Sequence, residues 1–264
     1  MTSRRTPTVT TRVLLPASRR LWPVSASDGC LSVVMPCYNE VATVDEIIAR
    51  VLASRFTGEL IVVDDGSTDG TRDRLSGYDD PRVRVLLEPT NRGKGAAVRR
   101  GFAEASREFV VIQDADLEYD PGDWDALLAP LASGDADVVY GTRMQEGPAH
   151  RAPYYWHMIC NRMLTQLSNM VTGVRLADVA TCYKAFRLEV VQSLDLRENR
   201  FGIDMEITAK VAAGGWRIWE TGISYTSRNY AEGKKITWKD GVAAFVCICR
   251  YGVSERVRKL CGNT

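Results

Sequence analysis

The stretch FVVIQDADLEYDP, residues 109–121, passes from an unbroken apolar run into acids at every second position. An apolar run this short, without polar alternation, suits a strand buried on both faces. Asp120-Pro121 then offers a cap and a proline for a helix carrying Trp124, Leu127, Leu128 and Leu131. Working outward, the same unit recurs. VRVLLE (83–88) reads as a strand and Gly95–Ser106 as a helix, while LIVVDD (60–65) is an earlier strand turning through GSTDG. LSVVMP (31–36) opens the series. It leads to a helix with Val44, Ile47, Ile48, Val51 and Leu52 on one face and Thr43 with Glu46 as its capping box. ADVVYG (136–141) adds a strand downstream. The alternation predicts an α/β fold, a Rossmann-like and mostly parallel sheet with helices on both faces. Such sheets bind ligands at the carboxyl ends of their strands.

Beyond Arg143 the pattern changes. Pro153–Thr172 reads as a long helix, Asp178–Phe186 as a polar segment, Asp204–Ala213 as a helix and RIWETGISY (217–225) as a strand. A last helix runs from about Trp238 to Leu260. Three regions follow: a disordered basic tail over 1–29, a catalytic domain over 30–237, and a C-terminal amphipathic helix over 238–264. That helix could lie on a membrane surface, or pack on the domain through Val242, Phe245, Val246 and Ile248.

Composition sets outer limits. With 264 residues, 45% hydrophobic and a net charge of +1, the chain is an ordinary globular protein, and its charge argues against nucleic acid as a partner. No run approaches the roughly 18 apolar residues of a membrane span. Seven cysteines without a CxxC pair read as reduced, buried thiols, which suits a cytosolic compartment.

Polar clusters stand at three strand ends: Pro36-Cys37-Tyr38-Asn39-Glu40, Asp64-Asp65-Gly66-Ser67 and Asp114-Ala115-Asp116-Leu117-Glu118. Neighbouring carboxylates repel unless a donor or cation satisfies them. Alternating acids at a turn can converge on Mg²⁺ or Mn²⁺, hard cations that also bridge diphosphate oxygens. Taken singly, a DDGS turn or a D-x-D is as readily a solvated loop. Three such clusters in one predicted rim argue for a nucleotide-diphosphate site.

Together the segments MPCYNE (35–40), VVDDGSTDGT (62–71), NRGKGAA (91–97), QDADLEYDP (113–121), VVYGTR (138–143), DVATCYKAF (178–186), FGIDMEI (201–207) and SYTSRNYAEGKKITWKDG (224–241) resemble the family 2 glycosyltransferases of the GT-A fold. Within that family they look like the branch of dolichyl-phosphate mannose synthase and related polyprenyl-phosphate sugar synthases. The resemblance implies inverting, metal-dependent transfer of a hexose, mannose by preference, from a GDP- or UDP-sugar to a polyprenyl phosphate. Pro36, Tyr38, Glu40, Asp64 and Asp65 would line the nucleoside pocket, and Lys94 would join the donor site. Asp114 and Asp116 would hold the metal and the diphosphate. Glu118, where the mannose synthases carry Gln, would be a third ligand. Arg143 would face the acceptor phosphate. Arg228 and Lys234 would reach the phosphates from a loop that Gly233 makes pliable. Asp204 and Glu206 fall where a catalytic base is expected, although a phosphate acceptor, already ionised, needs none. The chain departs from the family over His150–His157, where a further acceptor arginine fails to align and Arg151 or His157 could substitute. A lipid acceptor implies peripheral attachment to the cytosolic face of a membrane. The alternatives are a soluble or polysaccharide hydroxyl acceptor, and a nucleotide-sugar-binding module without catalysis.

Overall fold

Seven strands form one sheet, in the order Val83–Leu87 (β3), Thr57–Asp64 (β2), Leu31–Cys37 (β1), Phe109–Ile112 (β4), Lys184–Arg187 (β6), Val138–Thr142 (β5) and Ile218–Gly222 (β7). The computed structural model describes residues 26–144, 155–227 and 238–261. β1 (Leu31–Cys37) lies parallel to β2 (Thr57–Asp64) and β4 (Phe109–Ile112), and β2 lies parallel to β3 (Val83–Leu87). β5 (Val138–Thr142) runs parallel to β7 (Ile218–Gly222). β4 is wholly apolar, and β1, β2 and β5 largely so, because both of their faces are covered. β3 and β7, at the sheet edges, are only partly buried.

One strand was not expected. Lys184–Arg187, overlapping the end of the segment read as polar, forms β6 and lies antiparallel between β4 and β5. Its two basic residues hide the strand from a hydrophobicity reading. Both charges are satisfied internally. Lys184, fully buried, bonds to Asp204 and to the Thr181 carbonyl. Arg187 donates to the carbonyls of Leu131 and Ala136 and lies over the Phe109 ring.

Helices α1 (Val44–Ala53), α2 (Thr71–Leu75), α3 (Lys94–Glu104) and α4 (Trp124–Ala132) follow the first strands, as the alternation predicts. α3 packs on β1 so closely that a methyl added at Gly101 would stand 2.3 Å from Val34 Cγ1. Asp120 caps the single 3₁₀ turn Pro121–Asp123 that leads into α4, accepting from the Gly122 N–H, rather than α4 itself. The capping box at Thr43 and Glu46 does not form. The Thr43 hydroxyl donates instead to the Ala115 carbonyl at 2.8 Å and to Glu40.

α5 (Tyr155–Thr172), α6 (Leu188–Ser193), α7 (Ile203–Ala213) and α8 (Trp238–Cys261) complete the chain. α8 packs on α5 and α7. Its buried stripe is Ala244, Cys247, Ile248 and Tyr251. Of the four residues expected to pack, only Ile248 does so, whereas Val242, Phe245 and Val246 are exposed. The free thiols at Cys30, Cys37, Cys182 and Cys247 are buried as expected, but those at Cys160 and Cys249 are exposed. Among the described residues no helix is long and apolar enough to cross a membrane.

Candidate active site

The carboxyl ends of β1, β2 and β4 meet in one rim, tied together by short polar contacts. The backbone N–H of Asn39 donates to Ser67 Oγ at 2.9 Å, and its side-chain oxygen accepts from the Thr68 N–H at 2.8 Å. Asn39 makes this turn at a positive φ of 51°, a conformation that Asn tolerates better than most residues. Through the Thr43–Ala115 bond, the loop bearing Tyr38 and Glu40 is stitched to the acidic turn after β4. Pro36, at the end of β1, and Tyr38 and Glu40 beyond it are half-buried at this rim.

Asp64 and Asp65 both face inward. Asp64 is fully buried and accepts from Arg72 Nε at 2.6 Å and from the Ser67 N–H, which anchors the turn into α2. The Asp65 carboxylate accepts from the backbone N–H groups of Arg92 and Gly93 at 2.8 and 2.7 Å. Gly66, at φ +77°, lets the two loops approach, since a Cβ there would sit 2.6 Å from the Asn91 nitrogen. Asp65 therefore sets the position of the loop that delivers Lys94.

Lys94, the first residue of α3, places Nζ 2.7 Å from Asp114 Oδ1. Burial alone would depress its ammonium, but Asp114 above all, with Asp204, holds it well above the usual lysine range. The Cys182 thiol is pushed up by burial and by Asp114, so it stays protonated. Asp116 accepts from the Glu118 N–H across Leu117, a non-glycine residue at φ 61°. Backbone held in that region is costly and concentrates at functional turns.

Glu118 faces the opposite wall. Its Oε2 accepts from the Tyr225 hydroxyl at 3.0 Å, and its carbonyl accepts from the Thr226 N–H. The Tyr225 ring in turn lies 5.1 Å from the Arg143 guanidinium. Arg143, next after β5, is gripped by Asp178 through Nε at 2.6 Å and Nη2 at 2.9 Å. Asn161 of α5 donates to the same carboxylate at 2.9 Å. Tyr119 packs between these walls, 4.8 Å from the Tyr183 ring and 5.3 Å from that of Tyr225.

The site therefore brings together Asp114, Asp116, Glu118, Lys94, Arg143 and Asp204. Glu206 stands apart. It is fully buried, accepts from the Arg197 and Glu198 N–H groups and pairs with Lys210. Arg228, Lys234 and Arg151 lie outside the described residues, as do residues 1–25 of the expected tail; its last four, 26–29, are described, and Gly29 donates to the Arg55 carbonyl rather than being disordered. Sequence reasoning did not single out Asp178, Lys184 or Tyr225, although all three fall within the motifs quoted above. Their roles come from long-range contacts that no local pattern carries.

Among the described residues, no group of three or more His, Cys, Asp or Glu side chains is arranged to hold a metal. Asp114 is turned to Lys94, and Glu118 to Tyr225. The donor set still fits Mg²⁺ or Mn²⁺. Mg²⁺ characteristically takes one or two carboxylates and completes its shell with substrate phosphates and water rather than a protein cage. Asp114 and Asp116 offer hard oxygens at the strained turn where a phosphate would arrive.

A parallel-rich sheet with an acidic turn at the end of its fourth strand defines a GT-A-like glycosyltransferase. Residues 32–195 match the family model described as Glycosyl transferase family 2, and the chain belongs to that family. It is 29% identical over 211 residues to the polyprenol monophosphomannose synthase of Mycolicibacterium smegmatis, covering 76% of this chain and 79% of that one. It is 28% identical over 237 residues to the undecaprenyl-phosphate mannosyltransferase of Micrococcus luteus, covering 84% and 94%. Among solved structures, it resembles glucosyl-3-phosphoglycerate synthase from Mycobacterium tuberculosis in complex with Mg²⁺ and uridine diphosphate. There the TM-score is 0.62 at 25% identity, over 84% of this chain and 79% of that one.

Proposed function

We propose that this glycosyltransferase moves a hexose, mannose by preference, from a nucleotide-diphosphate sugar to a polyprenyl phosphate with inversion at the anomeric carbon. The observation that carries this is Arg143. Its guanidinium is fixed by Asp178 and stands beyond the Tyr225 ring from the acidic donor turn. A fixed, permanently charged fork suits a phosphate on the acceptor side. The names of the two mannosyltransferase relatives agree with a lipid phosphate.

The residues divide the work. Tyr38, Glu40 and Pro36 border the nucleoside end, while Asp65 fixes the loop that carries Lys94. Asp64, buried against Arg72, acts by shaping its turn. Asp114 and Asp116 would hold Mg²⁺ or Mn²⁺, with Glu118 beside them. The bound cation would offset charge building on the departing nucleoside diphosphate. Lys94 is placed to meet a donor phosphate once Asp114 turns to the cation. Arg143 orients the acceptor phosphate, with Arg228 and Lys234 proposed to close over it. Asp204, paired with the buried Lys184, positions that lysine beside the site. A phosphate acceptor needs no proton removed, so this pairing costs the reaction nothing. Glu206 supports the turn before α7.

A lipid acceptor places the enzyme peripherally, on the cytosolic face of a membrane. The test incubates purified protein with Mg²⁺ or Mn²⁺, labelled GDP-mannose or UDP-glucose, and a polyprenyl phosphate in detergent. Label in the organic phase is the expected result. Label appearing only in water-soluble product, from a sugar- or phosphoglycerate-type acceptor, would overturn the lipid reading.

A further inference from the structure

α8 is apolar on two sides. Ala244, Cys247, Ile248 and Tyr251 pack inward, whereas Val242, Phe245, Val246 and Val253 are 52–54% exposed. Cys249, also exposed, falls between them. The outward set sits at positions 242, 245, 246, 249 and 253, helical spacing that gathers one continuous stripe. Isolated surface apolar residues need no explanation, but a contiguous apolar stripe marks a contact surface.

Charge selects the occupant. The α8 sequence WKDGVAAFVCICRYGVSERVRKLC holds five basic residues, Lys239, Arg250, Arg256, Arg258 and Lys259, against two acidic, Asp240 and Glu255. Arg250 is largely exposed. An apolar stripe on a basic helix fits an anionic bilayer, into whose headgroup region the apolar side sinks. A second copy of this chain would bring a helix of the same net positive charge against this one.

Position supports the same occupant. α8 packs on α5, where a methyl added at Gly252 would lie 2.2 Å from Val171 Cγ1. From α5, Asn161 reaches Asp178, which grips Arg143. The stripe thus rides on the helix that helps to fix the proposed acceptor-phosphate residue. We infer that the outer face of α8, centred on Phe245 and Val246, docks the protein on an anionic lipid surface. This deepens the lipid-acceptor reading, yet its test requires neither donor nor acceptor.

Full-length protein is sedimented with vesicles of phosphatidylcholine and phosphatidylglycerol that contain no polyprenyl phosphate. Wild type should bind, and Phe245→Ser/Val246→Ser should lower the partition coefficient about tenfold or more. Because both side chains point outward, the variant should keep its Tm and its transfer rate with detergent-dispersed acceptor. Binding of the variant equal to that of wild type would overturn the inference, as would no wild-type binding. Equal wild-type binding to purely zwitterionic vesicles would overturn the choice of an anionic surface. A wild-type dimer that the double substitution converts to monomer would assign the stripe to self-association instead. If vesicle binding holds but label never enters lipid, the acceptor reading fails and the docking face stands.

Discussion

Lys94 Nζ stands 2.7 Å from Asp114 Oδ1, so the start of α3 and the turn after β4 are joined by a largely buried ion pair inside the proposed donor site. A divalent cation on Asp114 would take over the role this ammonium now plays. Lys94→Met should therefore destabilise the protein in EDTA by about 3 kcal/mol, since it leaves a carboxylate uncompensated. Mn²⁺ should restore more of that loss than it adds to wild type, as read by thermal unfolding with and without metal. An equal Mn²⁺ gain in both proteins would argue that Asp114 is not a ligand.

Asp114→Asn and Asp116→Asn should each lower kcat/KM by about 10²–10³, in the range seen when one preorganised transition-state contact is removed. Binding of Mn²⁺, followed by its paramagnetic signal, should weaken in parallel. Unchanged metal affinity in both variants would remove them from the metal site.

Arg143→Ala should raise KM for the acceptor at least about tenfold, with donor binding unchanged, because a charge-assisted phosphate contact is lost. Asp204→Asn should leave kcat within about tenfold of wild type if the acceptor arrives already ionised. The opposite pattern, in which Asp204→Asn abolishes turnover and Arg143→Ala is mild, would indicate a hydroxyl acceptor and a true base.

Burial pushes the Asp178 carboxyl up, but Arg143, with help from Asn161, outweighs it and holds the group below the usual carboxylate range. The unfolded chain, whose aspartates titrate at about 3.9, therefore takes up this proton more readily than the native state. The stability contributed is complete above that value and is lost as pH falls through the lower native one. Below about pH 4, wild type should lose stability more steeply than Asp178→Asn, a difference that denaturant unfolding at graded pH would measure.

Gly101→Ala should cost about 1–3 kcal/mol by overpacking α3 against Val34. Adding Val34→Ala should recover part of the loss, and a double-mutant cycle in chemical denaturation would show the coupling.

Continuous apolar runs such as FVVI and LIVV made β1, β2, β4 and β5 legible, because burial on both faces favours that composition, while the edge strands β3 and β7 were read from more mixed runs. The motif order also made the acidic rim legible. β6 was not, since Lys184 and Arg187 become acceptable in a buried strand only through Asp204 and distant carbonyls. Likewise, nothing local distinguishes Asp65, which braces a loop, from Asp116, which faces the turn. The Thr43–Glu46 spacing suggested a cap, but a tertiary acceptor at Ala115 competed for the hydroxyl and won.

The insertion of β6 between β4 and β5 has a consequence for biosynthesis. Strands β1 to β4 pair with one another along all but the outer edge of β4, so this half of the sheet can form in the nascent chain once Ile112 has emerged. β5 follows directly in sequence but has no partner until Lys184–Arg187 and then Ile218–Gly222 are made. Meanwhile the apolar edge of β4 stands open, the kind of unpaired edge that other chains can join. Ribosome-bound chains arrested before Lys184 should already protect the β1–β4 amides yet require a chaperone to remain dispersed.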